Sequence, residues 1–259
     1  MRTLKLGDTE VARIGLGTNR LRNTPENVRF VQEAAAAGVG LIDTAHSYTG
    51  GESEATIGAA NQTLQQTVAR SGWVVATKGG FHPGEGRPEV LRAQIEESLR
   101  RLRTDSIGLY YLHRVDPKTP LEESLGVLEE YRDAGKIRHV GLSQVGVGQI
   151  ERARRVVPIA AVQNRYNLAA REHEDVVDWC AGEGIVFVPY FPLGGEGGPA
   201  LDEIAERHGA TPTQIALAWL LRRSPTMLPI PGTLSLEHLK ENLAALEIEL
   251  GDDEFQALS

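Results

Sequence analysis

The stretch "IGLYYLHRVDPKTPLEESLGVLEEYRDAGKIRHVGLS", residues 107–143, holds two short apolar runs separated by one amphipathic segment. "IGLYYLH" (107–113) and "IRHVGLS" (137–143) have the composition and length of buried strands. Between them Leu121, Leu125, Leu128 and Tyr131 fall on one helical face, and Gly135 stands where that helix must stop and turn. A strand, a helix and a second strand imply parallel pairing, because the helix carries the chain back to the edge from which it started.

The same unit recurs along the chain. Further strand candidates are "RIGLG" (13–17), "VGLID" (39–43), "WVVATK" (73–78), "IAAVQ" (159–163), "IVFVPY" (185–190) and "MLPIP" (227–231), which brings the tally to eight. Leu91, Ile95, Leu99 and Leu102 share a helical face, as do Leu236, Leu239, Leu243 and Leu246. Thr24 reads as a helix N-cap with Pro25 at the first helical position, and Gly38 as a helix stop. Eight such units in roughly 250 residues predict an α/β fold, a (β/α)8 TIM barrel forming one domain over residues 1–259. A doubly wound open sheet is the rival. It would place a glycine-rich phosphate loop after its first strand, and "GLGTNR" lacks the third glycine. "LKLGDTEVA" reads as a short N-terminal β-hairpin turning at Gly7-Asp8 and capping the barrel floor, and "PLGGEGGPA" (192–200) as a loop.

Composition narrows the function classes. The 259 residues carry a formal net charge of −8, unlike the basic face that a phosphodiester backbone attracts, so no nucleic-acid partner is expected. The single cysteine, Cys180, can form neither an internal disulfide nor a thiolate metal cluster, and no metal site is expected. The start "MRTLKLGDTE" lacks the apolar core of a signal peptide, and no apolar run approaches the roughly 20 residues that span a bilayer. The expectation is a cytoplasmic protein with no membrane partner. Its oligomeric state is not readable.

In a barrel the C-terminal strand ends form one rim, and that rim carries the chemistry. Asp43 ends the second strand with Tyr48 in the loop beyond, Lys78 ends the third, and His113 ends the fourth. Singly, Asp43 reads as a loop cap, Tyr48 as a packing residue, Lys78 as a surface charge and His113 as a core histidine. Together on successive strand ends they make a proton donor. A phenol titrates near pH ~10, and a neighbouring ammonium favours its ionised form. A carboxylate would keep a half-buried lysine charged, and a histidine would orient a carbonyl oxygen. Such a donor supplies half of a carbonyl reduction. The other half is a hydride, which no side chain provides, so a nicotinamide cofactor is implied. His46 lies between Asp43 and Tyr48, but the His-x-His pair of barrel metallohydrolases is missing from "GLGTN".

"GLIDTAHSYTGGESEATIG" (40–58), "VVATKGG" (74–80) and "YYLHRVD" (110–116) resemble the signature segments of the aldo-keto reductase family. "IRHVGLSQV", "AVQNRYNL", "PYFPLGG" and "PIPGTLSLEHLKENL" follow in the family's order, with a likeness to the bacterial oxidoreductases near the pyridoxal reductases. The resemblance implies NADP(H)-dependent reduction of an aldehyde or ketone. Tyr48 would be the general acid, Lys78 its partner, Asp43 the group holding Lys78, and His113 the orienter of the carbonyl. Ser143 and Gln163 would bond the nicotinamide carboxamide and Tyr190 would stack on its ring. Gly17, Thr18, Asp43, Gln144, Phe191, Pro192 and Leu193 would contact the cofactor too. Ile230, Gly232, Thr233, Ser235, His238, Glu241 and Asn242 would grip the adenosine half. By position, Asn19, Phe81, His82 and Arg114 would select the small-molecule carbonyl substrate beside Tyr48 and His113.

The chain departs from the family pattern in places. Gln144 stands where many relatives have asparagine, and Gly232 where many carry lysine. The arginine usual near His238 is missing, leaving His238, Lys240 or Arg222 to meet a 2′-phosphate. The end "LGDDEFQALS" comes before the family's usual C-terminal loop, which predicts an open pocket. Two alternatives remain at this point: a cofactor-sensing regulatory subunit with negligible turnover, and a barrel lyase using Lys78 as a Schiff base.

Overall fold

The computed structural model describes residues 2–67, 73–194 and 198–259, excepting the side chains of 63–67. The chain begins with an antiparallel hairpin, β1 (Thr3–Leu6) and β2 (Thr9–Ala12), turning at Gly7-Asp8 with Gly7 at φ +58°. Seven parallel strands follow in sequential order: β3 (Leu16–Gly17), β4 (Leu41–Asp43), β5 (Val74–Gly79), β6 (Ile107–Leu112), β7 (Ile137–Ser143), β8 (Ile159–Gln163) and β9 (Val186–Phe187). The connecting helices include α1 (Pro25–Ala36), α2 (Glu52–Thr67), α3 (Pro88–Leu102), α4 (Leu121–Asp133), α5 (Val147–Ala153) and α6 (Glu174–Glu183). Pro25 opens α1 and the Thr24 side chain accepts from the Asn27 amide, a cap worth about 1 kcal/mol. After β9 come α7 (Pro199–His208), α8 (Pro212–Arg223), α9 (Leu236–Ala244) and α10 (Asp252–Leu258).

The eighth expected strand, 227–231, closes the barrel without forming a regular ladder. Leu228 donates to the Phe187 carbonyl, Gly15 to Pro229 and Gly17 to Pro231, and single parallel bridges join Phe187 to Met227 and Gly17 to Gly232. Pro229 and Pro231 accept these bonds but have no N–H to return, so the seam is one-sided. The same chemistry shortens the expected strand 185–190. Val188 and Tyr190 donate to Val162 and Asn164, but Pro189 lies between them, and only Val186–Phe187 remains regular. The first expected strand, 13–17, shortens to Leu16–Gly17 because it faces the proline-bearing segment.

Alternation along each strand sorts the side chains. Leu41, Val74, Ala76, Leu109, Tyr111, Ala161, Val186, Leu228 and Ile230 pack inside the barrel with Leu6 and Val11 of the hairpin, which covers the floor. Ile42, Tyr110, Leu112, Leu142 and Val162 join the outer core against the helices. Gly141 makes room inside: a Cβ there would lie 2.5 Å from the Tyr111 ring. Residues 195–197 of the predicted 192–200 loop fall outside the described residues. No helix among the described residues is long and apolar enough to cross a membrane.

Candidate active site

The period-2 alternation decides which strand-end residues point inward. Asp43 shares parity with Leu41, Lys78 with Val74 and Ala76, and His113 with Leu109 and Tyr111, so all three end on the inner face. They meet above the apolar fill. Lys78 is fully buried, and its ammonium donates to Asp43 Oδ1 at 2.6 Å, to the Thr44 carbonyl at 2.7 Å and to the Tyr48 hydroxyl at 3.4 Å. The other carboxylate oxygen of Asp43 accepts from Gln163 Nε2 at 2.8 Å. Burial works to strip the proton from Lys78, but the charge of Asp43 and then Tyr48 outweighs it and holds the ammonium above the ordinary lysine value.

Tyr48 is delivered by a loop that the sequence reading did not resolve. It opens a 3-10 turn, Tyr48–Gly51, in which Thr49, Gly50 and Gly51 all have positive φ. Thr49 pins the turn by donating to the Leu21 carbonyl at 2.9 Å. From α3, Arg101 donates to the His46 carbonyl at 3.1 Å and pairs with Glu54, which is fully buried and also accepts from Thr77. A Cβ on Gly51 would lie 2.3 Å from the Arg101 guanidinium, so glycine is needed there for contact as well as for φ.

His113 packs edge-on to Tyr48 at 6.0 Å and against Phe81 at 4.7 Å. Burial, then the charges of Lys78 and Arg114, push its pKa down to about 2, so the imidazole is neutral. Its Nδ1 is buried without a partner among the described residues. An orphaned lone pair costs less than an orphaned N–H, so the proton belongs on Nε2, the nitrogen left to face the cavity.

Asp43, Tyr48 and His113 line one cavity of about 650 Å³, which also takes in Gly17, Thr18, Asn19, Arg20, Phe81, Arg114, Ser143, Gln144, Gln163, Tyr190, Phe191, Pro192, Leu193, Gly194, Ile230, Pro231 and Gly232, with the buried Lys78 behind Asp43 and Tyr48. Ser143 makes no side-chain hydrogen bond among the described residues. Gln144 and Phe191 hold positive φ, at +59° and +49°. Left-handed backbone in non-glycine residues marks strain, here gathered on the cavity wall. The Gln144 amide donates to the Tyr190 hydroxyl.

A sequence model described as "Aldo/keto reductase family" matches residues 13–198 and 196–259. The chain is a member of the aldo/keto reductase family. It is 35% identical to pyridoxine 4-dehydrogenase of Escherichia coli over 283 residues, covering 99% of this chain and 96% of that protein. A solved thermostable aldo-keto reductase bound to the inhibitor epalrestat superposes with a TM-score of 0.90 at 35% identity, covering 100% of this chain and 98% of the other. An aldo/keto reductase of Klebsiella pneumoniae, solved with NADP and acetate, superposes at 0.88 with 30% identity and covers 99% and 94%. As an aldo/keto reductase the protein is an oxidoreductase on a (β/α)8 barrel.

Not every expected residue of this aldo/keto reductase sits on the cavity. His82 is exposed, with its ring edge-on to Phe81 at 4.9 Å. Thr233, Ser235, His238, Glu241 and Asn242 lie outside the cavity wall. The Ser235 side chain caps α9 by accepting from the His238 amide, while His238 and Glu241 are exposed. Arg222 is already engaged by the Leu250 carbonyl and Asp252. The sequence reading missed Arg20 and Gly194 on the wall. It also missed Asn164, whose amide pairs both ways with the Val145 backbone and braces the strained Gln144 turn. Only its adjacency to Gln163 signalled it.

Proposed function

We propose that the protein reduces an aldehyde or ketone to the alcohol with NADPH, the proton coming from Tyr48. The observation that carries this reading is the chain of contacts from Asp43 through Lys78 to the Tyr48 hydroxyl, ending at a cavity that His113 also lines. A carbonyl oxygen between Tyr48 and His113 would meet two donors, the phenol and the Nε2–H of a neutral imidazole. As the phenol gives up its proton, the ammonium of Lys78 stabilises the charge left behind. Asp43 keeps that ammonium charged, which speaks against a Schiff-base role because a protonated amine that donates three hydrogen bonds is no nucleophile.

The wall residues suit a flat ring bearing a carboxamide. The Tyr190 ring, the free Ser143 hydroxyl and the Gln163 amide converge on one cavity, and Gly17 and Gly232 bring two bare backbones together beside it. Bound there, a reduced nicotinamide supplies the hydride that the side chains lack. Family neighbours solved with NADP and with NADPH support the choice of cofactor. Thr233, Ser235, His238, Glu241 and Asn242 are assigned to the adenosine end, and Asn19, Phe81 and Arg114 to the substrate end. The test is Tyr48→Phe. Turnover of a simple aldehyde should fall by roughly a hundredfold or more while NADPH binding, read by tryptophan quenching, persists. Retained turnover would refute the assignment of the acid.

A further inference from the structure

We infer that the carbonyl substrate carries an anionic group, a carboxylate or phosphate, that is gripped by Arg114. This rests on the reductase reading of the same site and names its substrate class.

The charges of the cavity wall leave little choice. Among the described residues Asp43 is the only acid on that wall, and it is spent on Lys78 and Gln163. His113 is neutral. Two cations remain, Arg20 and Arg114, both exposed and neither in an ion pair among the described residues. The chain as a whole carries a net charge of −8, so a positive cavity wall runs against its composition.

Two acids of the neighbouring loops, Asp116 and Glu85, are taken up by other donors. Asp116 accepts from the Gly84, Gly86 and Lys118 amides and from the Thr119 hydroxyl, at 2.9–3.0 Å. Glu85 accepts from the Phe81 and His82 amides. The Arg114 guanidinium lies over the Phe81 ring at 4.9 Å, and its N–H groups make no hydrogen bond among the described residues.

Position separates the two arginines. Arg20 lies in the loop after β3, between Asn19 and Leu21, and makes no contact with the Phe81 or His113 ring among the described residues. Arg114 directly follows His113 and shares Phe81 with it. The two contacts to that ring place the guanidinium within about 10 Å of the imidazole. An anionic group several bonds from the carbonyl would therefore reach Arg114 while the carbonyl oxygen rests between Tyr48 and His113. Charge-assisted bonds to a planar fork are the strong, geometrically selective kind.

The test compares 4-carboxybenzaldehyde with its methyl ester, and adds 4-formylphenyl phosphate to distinguish carboxylate from phosphate. The wild-type enzyme should favour a charged aldehyde over the ester roughly tenfold to a hundredfold in kcat/KM, chiefly through KM. In Arg114→Met that ratio should fall toward one, and Arg114→Lys should recover part of it. Benzoate and benzamide binding, measured calorimetrically with NADP present, reads the same site without turnover. If no aldehyde reacts, the reductase reading fails, yet benzoate binding that disappears in Arg114→Met still supports the anion site. A ratio near one in the wild type, or one unchanged in Arg114→Met, would overturn the inference. So would a loss confined to NADPH affinity in Arg114→Met, which would assign the guanidinium to the cofactor.

Discussion

Replacing Lys78 by methionine should be costly in two separable ways. Lys78 and Asp43 are charges 2.6 Å apart with almost no exposure, and at an effective dielectric of about 20 they attract by ~6 kcal/mol. Much of that offsets the cost of taking both from water. Removing the ammonium alone leaves Asp43 buried with Gln163 as its remaining side-chain partner, and an uncompensated buried charge costs about 3–5 kcal/mol. For a chain of this size that corresponds to a melting temperature lower by about 10 °C. Asp43→Asn should lose a similar amount, since it strands the cation. The Asp43→Asn, Lys78→Met double variant should be destabilised by less than the sum, with a coupling of at least ~2 kcal/mol. The assay is urea unfolding of the four proteins at pH 7. Turnover should fall about a hundredfold or more in Lys78→Met, since the Tyr48 oxygen loses the cation that stabilises it. A Lys78→Met protein losing under ~1 kcal/mol, or strictly additive effects in the cycle, would refute the claim that this ion pair organises the site.

Two further outcomes follow from the same geometry. Arg101→Met removes the side chain that ties α3 to the Tyr48 loop, so kcat should drop roughly tenfold with the KM for NADPH little changed. Arg101→Lys should restore part of it; an unchanged kcat, or a loss carried by KM, would argue against positioning. His113 is held well below its unfolded value of about 6.5, so its contribution to stability is complete above that pH. The contribution drains away as pH falls from about 6.5 toward about 2, at ~1.4 kcal/mol per pH unit. His46 and His139, also lowered by burial, act in the same direction. Urea midpoints at pH 7, 6 and 5 should show the decline, and His113→Gln should flatten it; a level wild-type profile would contradict it.

The barrel was legible because its signal is local. Alternation of apolar residues on strands, helical faces such as Leu91–Ile95–Leu99, and the stops at Gly38 and Gly135 are all written within a few residues of where they act. The irregular seam was less legible, although Pro229 and Pro231 are plain in the sequence. A missing ladder appears only once the partner strand is known, and that partner, β3, lies more than 200 residues away.

By itself the sequence determined that an acid, a phenol, an amine and an imidazole stand at the ends of successive strands, because parity and spacing are one-dimensional properties. Tertiary structure decided their electrical state. Burial of Lys78 beside Asp43 and burial of His113 beside Lys78 set one amine charged and one imidazole neutral, through distances that sequence does not contain. It also decided which residues brace the site without resembling site residues, Arg101 at the Tyr48 turn and Asn164 at Gln144, and it left Arg114, expected at the substrate end, without an ion pair among the described residues. Charge and hydrogen-bond saturation depend on every neighbour in space, and for these residues the neighbours come from other turns of the barrel.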